Sequence, residues 1–255
     1  MNRKKGIILI TILAFFIFII DYNFLNSSLE EFFYEKEEIR IERVIDGDTV
    51  VAGDSIRLLG INTPEKGEKY FNEAKEFLES LVLNKTTFIE YGKERKDLYG
   101  RILGYIYSDR NINVELVRNG FANVYIYDID RHTEELRKAW EECISKGNNL
   151  CKKSENKCAD CILLKGIENQ KVTFENKCSF SCNITKWEIK DEGRKKFYFP
   201  EFILDGEVSV IVGNGADGKN VLYWKGEDYV WTEEGDTLFL RDAEGRLVLW
   251  EEMGR

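Results

Sequence analysis

Carboxylate, amide and guanidinium side chains are concentrated in one short stretch of this sequence, Arg43–Glu65. Asp48 and the side-chain oxygen of Asn62 are hard oxygen ligands, and the Thr63 carbonyl offers a third. Oxygen ligands of this kind suit Ca²⁺ or Mg²⁺ rather than a transition metal. The stretch therefore predicts a site for one hard divalent cation.

Two arginines and a glutamate accompany this cation site. Arg57 and Arg101 can each donate two hydrogen bonds to one phosphate. Glu65 stands at the start of a loop, where its carboxylate can orient a water molecule. A cation, a phosphate clamp and an oriented water are what phosphodiester hydrolysis requires. The alternative, a plain turn at Asp46–Asp48 with arginines that are solvated or paired, explains each piece alone but not their joint spacing.

The elements that position these groups begin with a hairpin. Residues 39–61 have the character of two strands joined by a turn at Gly53-Asp54. A two-residue loop would place Val50 opposite Arg57 and make Asp48 a diagonal neighbour of Arg57. The hairpin therefore predicts that the opposite charges of Asp48 and Arg57 meet.

The rest of the first domain alternates helices with strands. Apolar residues at helical spacing predict helices that begin near Tyr70, Asn113 and Thr133. About five strands with three interleaved helices are typical of a small barrel of the oligonucleotide-binding type, the OB-fold. We assign this domain to residues 37–150. The chain's only histidine, His132, is expected to be a loop residue.

The first 25 residues differ from the rest of the chain. A basic flank over residues 1–5 precedes an unbroken apolar run over residues 6–20. This pattern predicts export, with the body of the protein outside the cytoplasm. Without a visible small-x-small cleavage site, a transmembrane signal anchor is favoured over a removed signal peptide. Residues 26–36 are a polar, acidic spacer.

Six cysteines fall within 40 residues around the middle of the chain: Cys143, Cys151, Cys158, Cys161, Cys178 and Cys182. In an exported chain an even count predicts disulfides, here at the domain junction, where residues 151–162 form a linker. Zn²⁺ is the alternative, because two pairs of these cysteines come near the spacing of a zinc ribbon.

Residues 163–255 have a different pattern of predicted secondary structure. Short strands alternate with turns, which predicts a β-sandwich of the immunoglobulin-like type. The tryptophans of this region are expected in its core, and they are Trp187, Trp224, Trp231 and Trp250. Asp191 and Asp242 are expected to cap turns.

Charge excludes a protein that coats nucleic acid by global attraction. The 255-residue chain has a formal net charge of −9 at pH 7. Residues 37–157 hold 20 Lys and Arg against 23 Asp and Glu, and residues 158–255 hold 13 against 19. Neither part is a polycation, so contact with nucleic acid must come from specific arginines.

The motifs of the first domain resemble the staphylococcal nuclease (thermonuclease) family. The matching stretches are Val44–Thr49, Arg57–Leu59, Asn62–Glu65, Asp97–Arg101, Val117–Gly120 and Tyr125–Tyr127. The resemblance implies an OB-fold and a Ca²⁺-dependent endonuclease that cleaves DNA and RNA at the 5′ P–O bond, leaving 3′-phosphates. It implies one calcium ion, a single-stranded DNA or RNA substrate and a monomer.

The resemblance also implies a role for each motif residue. The residues at the calcium positions are Asp48, Asn62 and Thr63, and the carboxylate behind them is Asp46. The residues at the catalytic positions are Arg57, Glu65 and Arg101. The residues at positions that contact phosphate or stack on bases are Tyr99, Tyr125 and Tyr127.

Two positions depart from the best-known member of that family. Asn62 stands where that member has an aspartate, so the site loses one formal negative charge and should bind Ca²⁺ more weakly. Leu98 stands where it has a lysine, so one phosphate contact is missing. Neither change removes Arg57, Glu65 or Arg101.

The C-terminal part more weakly resembles a lamin-tail domain, an immunoglobulin-like sandwich with no catalytic motif. The stretches that carry this resemblance include Cys182–Asp191, Phe197–Pro200 and Gly235–Gly245. Two alternatives to a nuclease stay open. One is a catalytically inactive barrel that binds nucleic acid, and the other is an adhesive surface protein that acts through the sandwich and an unidentified ligand.

Overall fold

The computed structural model describes residues 36–232 and 235–254. The predicted signal segment and nearly all of the spacer lie outside these residues. No helix within the described ranges is long and apolar enough to cross a membrane.

The first domain is built on a curled sheet. Strands β1 to β8 span Glu37–Ile39, Arg43–Asp46, Thr49–Ala52, Asp54–Leu58, Ile61–Asn62, Thr87–Lys96, Ile102–Tyr107 and Asn123–Val124. The larger sheet has the order β1-β6-β7-β4-β3-β2, and β5 pairs separately with β8. Strands β4 and β7 run parallel, and the other neighbours in the sheet are antiparallel. This curled sheet fits the predicted OB-fold.

Three helices of the first domain pack against this sheet, as predicted. Helices α1 to α3 span Phe71–Val82, Ile112–Arg118 and Thr133–Lys146. Helix α1 buries Ala74, Leu78 and Val82, which are spaced four residues apart and therefore form one apolar stripe. Helix α3 ends at Gly147, whose φ of 67° gives the left-handed conformation that closes a helix.

The hairpin that carries the candidate site has a different register from the predicted one. Thr49, not Val50, pairs with Arg57, because Gly53 alone forms the tip between β3 and β4. The prediction was wrong by one residue, and a one-residue slip in a strand reverses which face a side chain occupies. Asp48 nevertheless meets Arg57. Asp48 lies in the turn before β3, so its side chain does not follow the alternation of side chains between the two faces of the sheet.

The second domain contains two four-stranded sheets. Strands β9 to β18 span Ile162–Glu168, Lys171–Asn176, Cys182–Asn183, Glu188–Lys190, Lys196–Tyr198, Ile203–Leu204, Glu207–Val212, Val221–Trp224, Asp236–Arg241 and Leu247–Met253. One sheet has the order β16-β15-β10-β9 and the other β13-β12-β17-β18. Buried residues of both sheets share one core, among them Phe174, Val210, Ile189 and Leu240. Two sheets around one core are consistent with the predicted sandwich.

The second domain packs on the first through strand β17, which is buried along its whole length. Phe239 of β17 and Trp250 of β18 lie edge-on to Trp140 of α3, with ring centroids 5.6 and 6.2 Å apart. Arg241 is buried beside them and donates hydrogen bonds to the Leu150 carbonyl (2.6 Å) and the Asn123 side chain (3.1 Å). The core of the first domain therefore extends onto β17 and β18 of the second.

Trp250 is the exception among the four tryptophans expected in the sandwich core. The other three are at most 4% exposed and belong to that core. Trp250 instead packs against the core of the first domain. Trp250 lies on the face of β18 that packs against the first domain, and not on the face that points into the sandwich.

All six cysteines are paired as disulfides: Cys143–Cys151, Cys158–Cys182 and Cys161–Cys178. The first bridge ties the end of α3 to the linker, and the other two tie the linker to the sandwich. The sulfurs of Cys158, Cys178 and Cys182 lie within 4.8 Å of one another. The disulfides therefore use the same thiols that zinc would require.

The pairing predicts that the oxidised, denatured protein carries no alkylatable thiol. After reduction, alkylation should add six adducts, one for each cysteine. Mass spectrometry of iodoacetamide-treated protein measures both numbers. Adducts at Cys158, Cys161, Cys178 and Cys182 without prior reduction, together with released Zn²⁺, would support the zinc alternative instead.

A buried glutamate ties β6 to the start of α3. Glu90 contacts His132 Nε2 at 2.8 Å, accepts from Arg131 Nε at 3.0 Å, and accepts from the Tyr107 hydroxyl at 2.9 Å. Burial alone would raise the pKa of Glu90, but His132 and Arg131 lower it to about 2. His132 lies in the turn before α3, as expected from the sequence, and is a buried structural partner of Glu90.

Glu90→Gln should destabilise the protein at pH 7 and progressively less at lower pH. The wild-type carboxylate has a folded pKa below its ordinary 4.5, so its stabilisation is complete above that value and is lost as pH falls toward 2. The full effect is at most about 3 kcal/mol. Urea unfolding between pH 7 and 3 measures it. Glu134→Gln, an exposed residue of α3, is the control and should cost under about 1 kcal/mol. A pH-independent deficit in Glu90→Gln would contradict the assignment.

Candidate active site

The first predicted cation ligand and one predicted phosphate clamp meet in a buried polar cluster. Asp48 is 3% exposed, and its Oδ2 accepts from the backbone N–H of Thr63 (3.0 Å) and from the Thr63 hydroxyl (2.9 Å). Its Oδ1 lies 3.3 Å from Arg57 Nη1. The carboxylate is therefore held in place by donors from β4 and from the segment that follows β5.

Arg57 is fixed by the backbone as well as by Asp48. Its guanidinium donates to the carbonyls of Leu58 (2.7 Å) and Ile61 (2.8 Å), and Nη2 lies 3.4 Å from the side-chain oxygen of Asn62. A buried guanidinium with several partners keeps one orientation. Asp48, Arg57, Asn62 and Thr63 are thus brought together, as their spacing predicted.

Asn62 uses its amide nitrogen to contact the other domain. Nδ2 donates to the carbonyls of Glu192 (3.3 Å) and Gly193 (2.5 Å), which lie in the loop between β12 and β13. The Gly193 carbonyl also accepts from Lys190 Nζ at 2.5 Å. An aspartate in place of Asn62 would have no hydrogen to donate and would face two carbonyl oxygens. The amide is therefore required by the domain contact.

Glu65 lies at the rim of the cluster and pairs with the same loop. Its carboxylate is 2.7 Å from Arg194 Nε, and the two side chains are about half exposed. Glu68, three residues later, accepts a hydrogen bond from the Glu65 backbone N–H, and its carboxylate lies 2.7 Å from Lys196 Nζ. Exposed pairs of this kind contribute about 0.2–1 kcal/mol each. The pairs orient the loop more than they stabilise it.

Arg101 pairs within its own loop, and among the described residues its side chain makes no hydrogen bond or ion pair with the polar cluster of Asp48, Arg57, Asn62 and Thr63. Its Nε donates to Asp97 Oδ2 at 2.7 Å, and its backbone N–H donates to Asp97 Oδ1 at 2.9 Å. The strand that follows, β7, is the parallel neighbour of β4, which carries Arg57. The sheet therefore places Arg101 immediately before the strand that neighbours Arg57's own, while the Arg101 guanidinium is directed to Asp97.

The three predicted tyrosines differ in exposure. Tyr99 and Tyr127 are 86% and 79% exposed, so their rings are accessible for stacking. Tyr125 is half-buried: burial, followed by the charge of Glu192, raises the pKa of its phenol, and Arg57 opposes this shift. Tyr125 therefore lies between the cluster and the second domain.

A cleft of about 220 Å³ lies at this domain boundary. Its lining includes Tyr125 and Tyr127 from the first domain, and Asp191, Lys195 and Tyr229 from the second. Asp191 accepts the backbone N–H of Lys195 at 2.9 Å and so caps the loop, as predicted. The cleft joins aromatic surface of both domains next to the polar cluster.

Comparison with known proteins decides the family. A sequence model described as staphylococcal nuclease homologue matches residues 55–153. A thermonuclease from Staphylococcus intermedius is 32% identical over 127 residues, which are 45% of this chain and 76% of that protein. The chain belongs to the staphylococcal nuclease family.

Two further relatives are similar to part of the chain. An uncharacterized endonuclease of Escherichia coli is 42% identical over 93 residues, which are 34% of this chain and 60% of that protein. An uncharacterized protein of Methanocaldococcus jannaschii is 35% identical over 151 residues, covering 45% of this chain and 71% of its own. The chain thus spans under two thirds of the E. coli endonuclease. The family match ends at residue 153, so the second domain lies beyond it.

The donor set of the nuclease-family domain fits a calcium ion by its chemistry. Asp48 offers a carboxylate, Asn62 an amide oxygen and Thr63 a backbone carbonyl, which are hard ligands. Asp46 adds negative charge: burial, followed by the charge of Asp48, raises the pKa of its carboxyl. A divalent cation would relieve this repulsion between the two carboxyl groups.

The residues that the sequence did not reveal at this site come from the second domain. They are Gly193, Arg194 and Lys196, and the contact between Asn62 and Gly193 joins residues 131 positions apart. Contacts between residues this far apart in the sequence produce no periodic pattern from which they could be predicted. The one available signal was Asn62, an amide where the family's best-known member has a carboxylate.

Gly47→Ala should destabilise the nuclease-family domain. An added Cβ would lie 2.8 Å from Thr63 Oγ1 and 2.9 Å from the Ala74 Cβ. Crowding of this size costs about 1–3 kcal/mol, and urea unfolding followed by tryptophan fluorescence measures the cost. Gly166→Ala is the control, because nothing lies within 4 Å of its added Cβ. Equal stability of the two variants would contradict the close approach of Gly47 to Thr63.

Proposed function

We propose that the chain is a calcium-dependent endonuclease that cleaves single-stranded DNA and RNA. Hydrolysis of phosphodiester bonds by a nuclease follows from its family, whose members here include proteins named thermonuclease and endonuclease. One observation carries the proposal furthest: Asp48, the proposed cation ligand, and Arg57, the proposed phosphate-binding arginine, are paired in one buried cluster. Glu65 lies at its accessible rim.

The proposed roles follow from where each side chain lies. Glu65 orients the attacking water, since its half-exposed carboxylate can be reached by both solvent and substrate. Arg57 binds the scissile phosphate from inside the cluster. Arg101 binds it from the loop that precedes β7, after leaving Asp97. Two guanidiniums stabilise the negative charge that accumulates on the phosphoryl oxygens.

Calcium belongs to the same proposal. Asp48, Asn62 and Thr63 would hold the ion, with Asp46 behind them. When bound, the cation would supply positive charge next to the phosphoryl oxygens and lower the barrier electrostatically. With Asn62 in place of a second carboxylate, affinity is expected in the weak range that suits millimolar extracellular calcium.

Location and product are the remaining parts of the proposal. A basic flank before an apolar run over residues 6–20 fits export, and three disulfides fit an oxidising compartment. The enzyme therefore acts outside the cytoplasm, anchored or secreted, as a monomer. Cleavage at the 5′ P–O bond would leave 3′-phosphates, which block extension by a polymerase until a phosphatase removes them.

The purified chain should cleave a labelled single-stranded DNA with Ca²⁺ and lose that activity in EGTA. Glu65→Gln should lower kcat by about 10²–10⁴-fold, because the water loses its base. Arg101→Ala should lower it by about 10²–10³-fold, because a phosphate donor is lost. Gel-resolved initial rates measure all three effects.

Two exposed residues of the same domain provide matched controls. Glu73→Gln and Arg110→Ala remove the same charges away from the cluster and should leave kcat within about twofold. Calcium-independent cleavage, or full activity in both Glu65→Gln and Arg101→Ala, would contradict the proposal. Binding of the oligonucleotide without any cleavage would favour the inactive barrel.

A further inference from the structure

The second domain reaches the candidate active site through one loop. This loop, Asp191–Lys195, joins β12 to β13 and contacts the nuclease-family domain at Asn62 and Glu65. Lys196, which follows the loop, lies 2.7 Å from Glu68. A segment from outside the family match therefore lies against a proposed cation ligand and against the proposed base.

Arg194 presents the most accessible guanidinium of this site. Its side chain is 58% exposed, against 26% for Arg101 and 10% for Arg57. Arg57 is held by two backbone carbonyls in addition to Asp48, so its guanidinium cannot change orientation when substrate binds. Arg194 is the arginine that can reorient without breaking buried contacts.

The partner of Arg194 is one that a phosphate can replace. Its pair with Glu65 at 2.7 Å is half-exposed, and such pairs are weak in water. A phosphate offers a guanidinium two parallel charge-assisted hydrogen bonds and a stronger negative charge. Substrate arriving beside Glu65 would therefore compete well for Arg194.

We propose that Arg194 binds a phosphate of the nucleic acid next to Glu65, so that both domains build the substrate site. The inference rests on the proposed nuclease function and adds to it a binding residue from the second domain. Leu98 is fully exposed at the tip of the Asp97–Arg101 loop and offers no cation to the substrate. Arg194 supplies a positive charge from the second domain.

The cleft beside the loop gives the strand a path across the domain boundary. Tyr127 and Tyr229 line it from the two domains and are 79% and 45% exposed. Aromatic rings along a groove bind successive unpaired bases regardless of sequence. A phosphate held by Arg194 would place the neighbouring nucleotide at this cleft.

Salt-dependent binding tests the proposal directly. Anisotropy of a labelled single-stranded DNA is measured without calcium in the Glu65→Gln background, which prevents cleavage and removes the competing carboxylate. Arg194→Ala should weaken binding about tenfold and reduce the slope of log K against log salt by about 0.7, the loss of one phosphate contact. Arg194→Lys should retain the slope, because the charge stays, with part of the affinity lost.

Arg246→Ala is the matched control, because Arg246 is in the same domain and pairs with an exposed glutamate, Glu155. Its slope should equal that of the parent. With Glu65 intact, Arg194→Ala should raise KM more than it lowers kcat. An unchanged salt slope in Arg194→Ala would overturn the proposal. Faster cleavage by Arg194→Ala at unchanged KM would overturn it as well, because Arg194 would then inhibit Glu65 and not bind substrate. If the chain binds DNA but does not cleave it, the nuclease function fails while the slope still reports the Arg194 contact.

Discussion

Burial of strand β17 on both of its faces is the constraint on which the arrangement of this protein depends. One face completes the core of the sandwich, and Phe239 on the other meets Trp140 of the nuclease-family domain. A strand buried in this way cannot slide or rotate without exposing apolar surface to water. Because β12 pairs with β17, the loop that follows β12 is held in contact with Asn62 and Glu65.

The chemistry of the site reflects this packing. An aspartate at position 62 would strengthen a cation site but would face the carbonyls of Glu192 and Gly193. Asn62 gives up a charge and gains two donated hydrogen bonds, each worth about 0.5–1.5 kcal/mol. Asn62 therefore serves the contact between the two domains, and the expected loss of metal affinity accompanies that contact.

Much of the fold and part of the site can be predicted from the sequence. The three helices and the curled sheet follow from local periodicity. The meeting of Asp48 with Arg57 is also predicted, but from a hairpin register that is wrong by one residue. The correct register does not follow from the sequence, because a single glycine at the tip, Gly53, sets it through a backbone angle that composition does not reveal. Trp250 shows the same limit: its aromatic side chain predicts packing in a core, but not in which domain.

The disulfides have a consequence for how strongly the two domains must attract each other. Cys143–Cys151 fastens the start of the linker to α3, and Cys158–Cys182 fastens its end to the sandwich. The free tether shrinks to the few residues between positions 151 and 158. A tether this short gives an effective concentration on the order of millimolar. An interface too weak to join two separate molecules therefore suffices to keep this one closed.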